Sequence, residues 1–113
     1  RFSLGMAYVR QGQLDDAVRT FRETLTRKPG YTDALLNLGS TYHLQNRLPE
    51  AIQAYRDVLT VQPDNINARM NLAKAYSEMG RAHEARTEIE MVLQYQPSNA
   101  EAAAMLRSFG TGN

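Results

Sequence analysis

The sequence is 113 residues long, with 42% hydrophobic and 22% charged residues, the balance of a folded, water-exposed chain. Thirteen Lys and Arg against twelve Asp and Glu give a formal net charge of +1, so no basic excess points to nucleic acid, and no apolar run approaches the ~20 residues that cross a bilayer. With no cysteine, disulfides and thiolate metal sites are excluded. The sequence begins at Arg1 without an initiator methionine or a signal-peptide pattern. It is therefore expected to be a soluble piece of a longer protein, with the cytoplasm slightly favoured and any targeting segment lying outside the piece.

The first helix is predicted over 1–11, ending before Gly12. The second is predicted over 14–27, with Asp15 and Asp16 in the turn where carboxylates favour the helix dipole. Read as a metal site, that acidic pair fails because no further ligands accompany it. Pro29 closes the unit. A third helix is predicted over 32–45, where Leu35, Leu38, Gly39 and Tyr42 follow the i, i+3, i+4, i+7 spacing of one helix face. Asn46 then stands at the offset of Gly12 and Gly80, and Gly and Asn best tolerate the left-handed conformation past a helix end. Pro49 suits the first turn of a fourth helix over 48–61, whose Leu48, Ala51, Ile52, Tyr55, Val58 and Leu59 share a face. Helices over 66–79 and 82–95 repeat the pair. A seventh is predicted over 99–109, behind a capping box of Ser98 and Glu101, with 109–113 as a frayed tail.

The pairs are in register. Gly5, Gly39 and Ala73 are 34 residues apart, as are Tyr8, Tyr42 and Tyr76, then Ala17, Ala51 and Ala85, and Pro29, Pro63 and Pro97. Phe21, Tyr55 and Ile89 hold a bulky apolar residue at one more shared offset. A glycine inside a helix costs roughly 1 kcal/mol relative to alanine, so the Gly39 column is read as close helix contact. On that reading Gly39→Leu overfills the contact, while Gly39→Ala is expected to be mild because Ala73 already holds the equivalent place.

The motif Leu38-Gly39-x-x-Tyr42, Ala51-x-x-x-Tyr55, Pro63, repeated as Leu4-Gly5-x-x-Tyr8, Ala17-x-x-x-Phe21, Pro29, resembles the tetratricopeptide repeat. The third unit departs with Ala73 and Ile89, and Arg1, Leu35 and Arg69 stand at the family's tryptophan position. The resemblance covers essentially the whole chain. It implies an all-α fold, a right-handed α-solenoid of antiparallel helix pairs whose concave groove is lined by the first helix of each unit. One array over 1–113 is expected, with repeats over about 1–31, 32–65 and 66–99 and a capping helix over about 99–109. Proteins similar to this are binding scaffolds for peptides or other proteins.

No catalytic constellation is legible, and no cofactor or metal is expected. His43 and His83 fall on different helices and read as solvated surface residues. The tyrosine column reads as core, and Met79, Met91 and Met105 as gap fillers at helix contacts. Arg19, Arg22, Arg27, Lys28 and Arg56 read as a solvated convex face. The groove is expected to hold Phe2, Met6 and Val9 from the first unit, Leu36, Asn37, Ser40 and His43 from the second, and Asn67, Met70, Asn71 and Lys74 from the third. Asn37 and Asn71 lie one repeat apart, and a carboxamide can pair with a peptide C=O and N–H together. This looks like the asparagine ladder of the enzymes that attach N-acetylglucosamine to proteins, shortened here because Ser3 replaces the first asparagine. The lysine-rich clamp that other members use on chaperone tails is not matched, since only Asn37 corresponds. The expected function is non-catalytic capture of a largely uncharged or mixed peptide or protein segment, with no nucleic acid and no membrane insertion. The alternatives are self-assembly through exposed repeat ends into a homo-oligomer, or service as the recruiting arm of a larger enzyme such as a glycosyltransferase.

Overall fold

The computed structural model describes residues 1–110, which form seven helices and no strand. These are α1 (Phe2–Arg10), α2 (Leu14–Arg27), α3 (Thr32–Leu44), α4 (Leu48–Val61), α5 (Ile66–Glu78), α6 (Ala82–Tyr95) and α7 (Ala100–Gly110). Local chemistry sets the turns within each pair. Gly12 and Gly80 take φ of 76° and Asn46 takes φ of 59°, the left-handed conformation that ends a helix sharply. The amide after each reaches back to a tyrosine carbonyl: Gln13 to Tyr8, Arg47 to Tyr42 and Arg81 to Tyr76, at 2.8–2.9 Å. The pattern closes α1, α3 and α5 with the same hydrogen-bonded hook.

The links between pairs start the next helix. Asn65 Oδ1 accepts from the Ala68 amide and Asn99 Oδ1 from the Ala102 amide, each at 2.9 Å. The cap of α7 is therefore Asn99, one residue beyond the Ser98 expected from the capping-box spacing. Asparagine competes well for this position, because its short carboxamide reaches the third amide of the helix. Phe109 and Gly110 are helical too, and the Phe109 carbonyl accepts from Arg86 Nη2 at 3.1 Å. The tail read from 109 thus starts later; residues 111–113 lie outside the described residues.

The pairs α1–α2, α3–α4 and α5–α6 pack closely, and each second helix also packs on the next first helix, α6 on α7 included. First helices touch one another, α1 with α3 and α3 with α5. The result is a right-handed helical solenoid of 42 × 24 × 20 Å. Its core follows the repeated columns: Ala17, Ala51 and Ala85 are fully buried, as are Phe21, Tyr55 and Ile89. Met79 departs from the gap-filling expectation, since at the end of α5 it stands exposed.

The Gly39 column shows why the residue type is restricted. A Cβ on Gly39 would lie 2.6 Å from the Tyr55 ring, and one on Gly5 would lie 2.5 Å from the Phe21 ring. Alanine at position 39 is therefore not mild, as the Ala73 precedent suggested. Ala73 is accommodated where the bulky column holds Ile89 instead of an aromatic ring, and both are fully buried. The two columns are coupled: glycine goes with a ring, alanine with isoleucine. We predict that Gly39→Ala destabilises by about 1–3 kcal/mol, the usual range for overpacking. Gly39→Ala/Tyr55→Ile is expected to lose less than the sum of the two single changes. Denaturant melts of the three variants measure that coupling.

Candidate functional site

Because α1, α3 and α5 touch in sequence, the outward-facing side chains of the first helices form one continuous surface. One depression of this surface lies at its C-terminal end. Asn67, Met70, Asn71 and Lys74 of α5 line a depression of about 620 Å³ together with the two links, through Gln62, Asn65, Gln96 and Asn99, and with Glu101 of α7. Met70 is buried and forms part of the floor, Asn71 is half-buried, and Asn67 and Lys74 are exposed. The rim is ordered by repeated contacts. Asn65 Nδ2 donates to Gln62 Oε1 and Asn99 Nδ2 to Gln96 Oε1, each at 2.9 Å. Lys74 Nζ lies 3.4 Å from Glu101 Oε2, an exposed pair worth little in stability that closes the recess between α5 and α7.

The second unit's residues are engaged with their neighbours. Asn37 Nδ2 donates to the Asp33 carbonyl one turn earlier at 2.8 Å, so its amide hydrogens are partly spent within α3. By contrast, no side-chain hydrogen bond occupies Asn71 among the described residues. His43 is not the solvated residue expected from its isolation in the sequence. Its Nε2 lies 2.9 Å from Glu78 Oε1 of α5, its ring meets Tyr55 edge-on at 6.5 Å, and only 23% of its side chain is exposed. The sequence signal was missed because the partners are 35 residues apart on neighbouring first helices. His83 is exposed.

The apolar end is less open. Phe2 tilts against Phe21 and Tyr31, with ring centroids 5.9 and 5.3 Å apart, and so sits between α2 and the start of α3. Met6, Val9 and Leu36 are half-buried against the core and present only part of their surface. The structure thus brings the four α5 residues into one recess, joins His43 and Ser40 around Tyr55, and leaves Phe2 apart.

A partly buried ion pair escaped the sequence reading. Arg69 Nη1 lies 2.9 Å from Glu88 Oε1, with side chains only 12% and 17% exposed, and Arg69 Nε donates to the Pro63 carbonyl at 3.0 Å. Leu35 and Ala54 hold the same offsets in the preceding unit and are buried. The paired change from Leu35/Ala54 to Arg69/Glu88 was the available signal. It places Arg69 at the family's tryptophan position with Glu88 as its partner, so that neither partly buried charge is left alone. Among the described residues no group of three or more acidic or histidine side chains could hold a metal ion, and no helix is long and apolar enough to cross a membrane.

A tetratricopeptide-repeat family model matches residues 2–66, and a second model of that description matches residues 43–108. The chain belongs to the tetratricopeptide repeat family. No curated protein sequence matches it. Among solved structures, this repeat array is similar to MamA at 21% identity and a TM-score of 0.91, over 98% of this chain and 65% of that one. It is similar to the first repeat domain of Spaghetti (RPAP3) bound to an HSP90 peptide, at 22% identity and a TM-score of 0.89, over 97% and 87% of the two chains. It is also similar to the Yersinia enterocolitica type III secretion chaperone SycD in complex with a peptide of the translocator YopD, at 16% identity and a TM-score of 0.90, over 98% and 90%. Likeness at these identities shows the fold. The chain spans just under two thirds of MamA.

One titratable group in this tetratricopeptide array ties the surface to the core. Burial pushes the Tyr55 phenol above its usual range; the Ser40 side chain opposes the shift and the Glu78 carboxylate adds to it. A folded-state pKa above the unfolded value means stability that is complete below about pH 10 and is lost as pH rises through the folded value. Tyr55→Phe is therefore expected to lose less stability than the parent between about pH 9 and pH 11.5. Denaturant midpoints at both pH values test this, with equal losses as the contrary result.

Proposed function

We propose that this array is a non-catalytic interaction module that holds a peptide or protein segment along the surface of its first helices. The observation that carries the reading is the α5 recess, where Asn67, Asn71 and Lys74 gather above Met70 between two ordered links. Backbone N–H and C=O groups of an extended segment need partners once they leave water, and a carboxamide supplies both kinds. Asn71 offers both; Asn37 offers mainly its oxygen, because its amide already donates to Asp33. Met6, Val9 and Leu36 supply partial apolar surface further along. Similar folds are seen with peptides bound, an HSP90 peptide on Spaghetti and a YopD peptide on SycD, which supports peptide capture as the class of function. The charges at the proposed surface are mixed, Lys74 facing Glu101 and Glu78 facing His43, so a segment without strong net charge fits best.

The test is titration of a segment captured on the array, with parent and variants at low and high salt. A typical hydrogen bond contributes ~0.5–1.5 kcal/mol net, so Asn71→Ala is expected to weaken binding roughly 2- to 13-fold. Asn37→Ala is expected to cost less than Asn71→Ala, and salt to matter little. Steep salt dependence with both variants unchanged would move the site to the arginine-bearing second helices.

A further inference from the structure

The two links that flank the α5 recess carry carboxamides whose orientation is fixed. The Ala68 amide donates to Asn65 and the Ala102 amide to Asn99, so the atom each meets is the carboxamide oxygen, Oδ1. Nδ2 is then the atom that reaches Gln62 and Gln96 at 2.9 Å, and a donating nitrogen needs an oxygen opposite it. Each glutamine oxygen is thereby engaged within its link. Neither Gln62 Nε2 nor Gln96 Nε2 donates to a partner among the described residues.

The main chain of the links adds to the same bias. The Gln62 and Gln96 carbonyls accept from the Asn65 and Asn99 amides at 3.0 Å, and the Pro63 carbonyl accepts from Arg69 Nε at 3.0 Å. These acceptors already hold a donor, while the two glutamines line the recess, exposed, with their NH2 groups unused. Asn71 offers either kind of group and so does not discriminate. The arrangement is not general to the links. Lys28 and Tyr31 hold the same offsets in the first link, and α3 starts there with no side-chain cap.

The complement of such a site is a ligand with acceptors and few donors. A carboxylate-bearing segment is opposed, because two carboxylates, Asp64 and Glu101, line the recess against one ammonium, Lys74, among the described residues. An ordinary extended segment presents an N–H with every C=O, and an N–H set against an NH2 group loses its partner on leaving water. Proline has a carbonyl and no N–H, and its polyproline II helix makes no internal hydrogen bonds. We propose that the α5 recess selects a proline-rich segment, with Gln62 Nε2 and Gln96 Nε2 donating to its carbonyls. This rests on the reading of the recess as a segment-binding site and adds which segment it takes.

The probes are three capped hexapeptides: hexaproline, a Gly-Ser repeat and a Gly-Glu repeat, titrated into the array and followed by nitrogen-edited proton NMR. Hexaproline is expected to shift the Gln62 and Gln96 side-chain amide resonances and to bind more tightly than either other probe. Gln62→Glu/Gln96→Glu keeps an oxygen for each asparagine and removes both donors. Both positions are exposed, so the melting temperature is expected to hold. Hexaproline binding, read at the Asn71 side chain, is expected to weaken roughly 5- to 150-fold in that variant. Tighter binding of the Gly-Glu repeat assigns the recess to anions and overturns the proposal. So does equal binding of hexaproline and the Gly-Ser repeat, no shift with any probe, or a double variant that binds hexaproline as the parent does. Segment capture itself is judged apart from this. A captured segment that lacks proline and is weakened by Asn71→Ala leaves capture standing and overturns the selection.

Discussion

The approach of two helices onto a missing side chain is the constraint on which this structure depends. Tyr55 and Phe21 lie against Gly39 and Gly5 so closely that a Cβ would fall within 2.6 Å of either ring. Interiors packed at crystal-like density do not absorb such an intrusion without movement of one partner. The closeness of the first two pairs is thereby limited by the ring. Because a solenoid passes geometry from neighbour to neighbour, small errors in one pair are carried along the array. In the third unit Ala73 and Ile89 hold the two offsets, and both are fully buried.

That regularity places the first helices side by side and leaves their outer residues to be used. The links contribute as much as the helices. Gln62 with Asn65 and Gln96 with Asn99 fix two polar corners of the α5 recess, and Lys28 over the Tyr31 ring at 4.8 Å makes the corresponding clasp in the first link. The turns within pairs are reinforced in a similar way, by Arg47 over Tyr42 at 4.7 Å and Arg81 over Tyr76 at 5.3 Å. A cation over a ring is worth ~0.5–1 kcal/mol at an exposed site, so these contacts orient the hooks more than they hold the fold.

Most of the architecture was legible because local chemistry and the repeat agree. Helix period, left-handed closers at Gly12, Asn46 and Gly80, and the proline punctuation all point to one set of boundaries, which the seven helices follow within a residue or two. What was not legible depends on which residue faces which across the array. The cost of alanine at position 39 is set by the ring on another helix, the pairing of His43 by Glu78 on α5, and the charge at Arg69 by Glu88 on α6. The two asparagines look equivalent in sequence, yet only the Asn37 side chain donates to the main-chain carbonyl one turn earlier. The repeat phase predicts neighbours; side-chain hydrogen bonds decide which groups remain available.

The central claim, that ring-on-glycine contact sets the helix spacing, is open to direct measurement by nuclear Overhauser spectroscopy. The account predicts strong cross-peaks between the Gly39 Hα protons and the Tyr55 ring protons, and between the Gly5 Hα protons and the Phe21 ring protons. Ring protons that show cross-peaks only to other side chains, with none to either glycine, would contradict it.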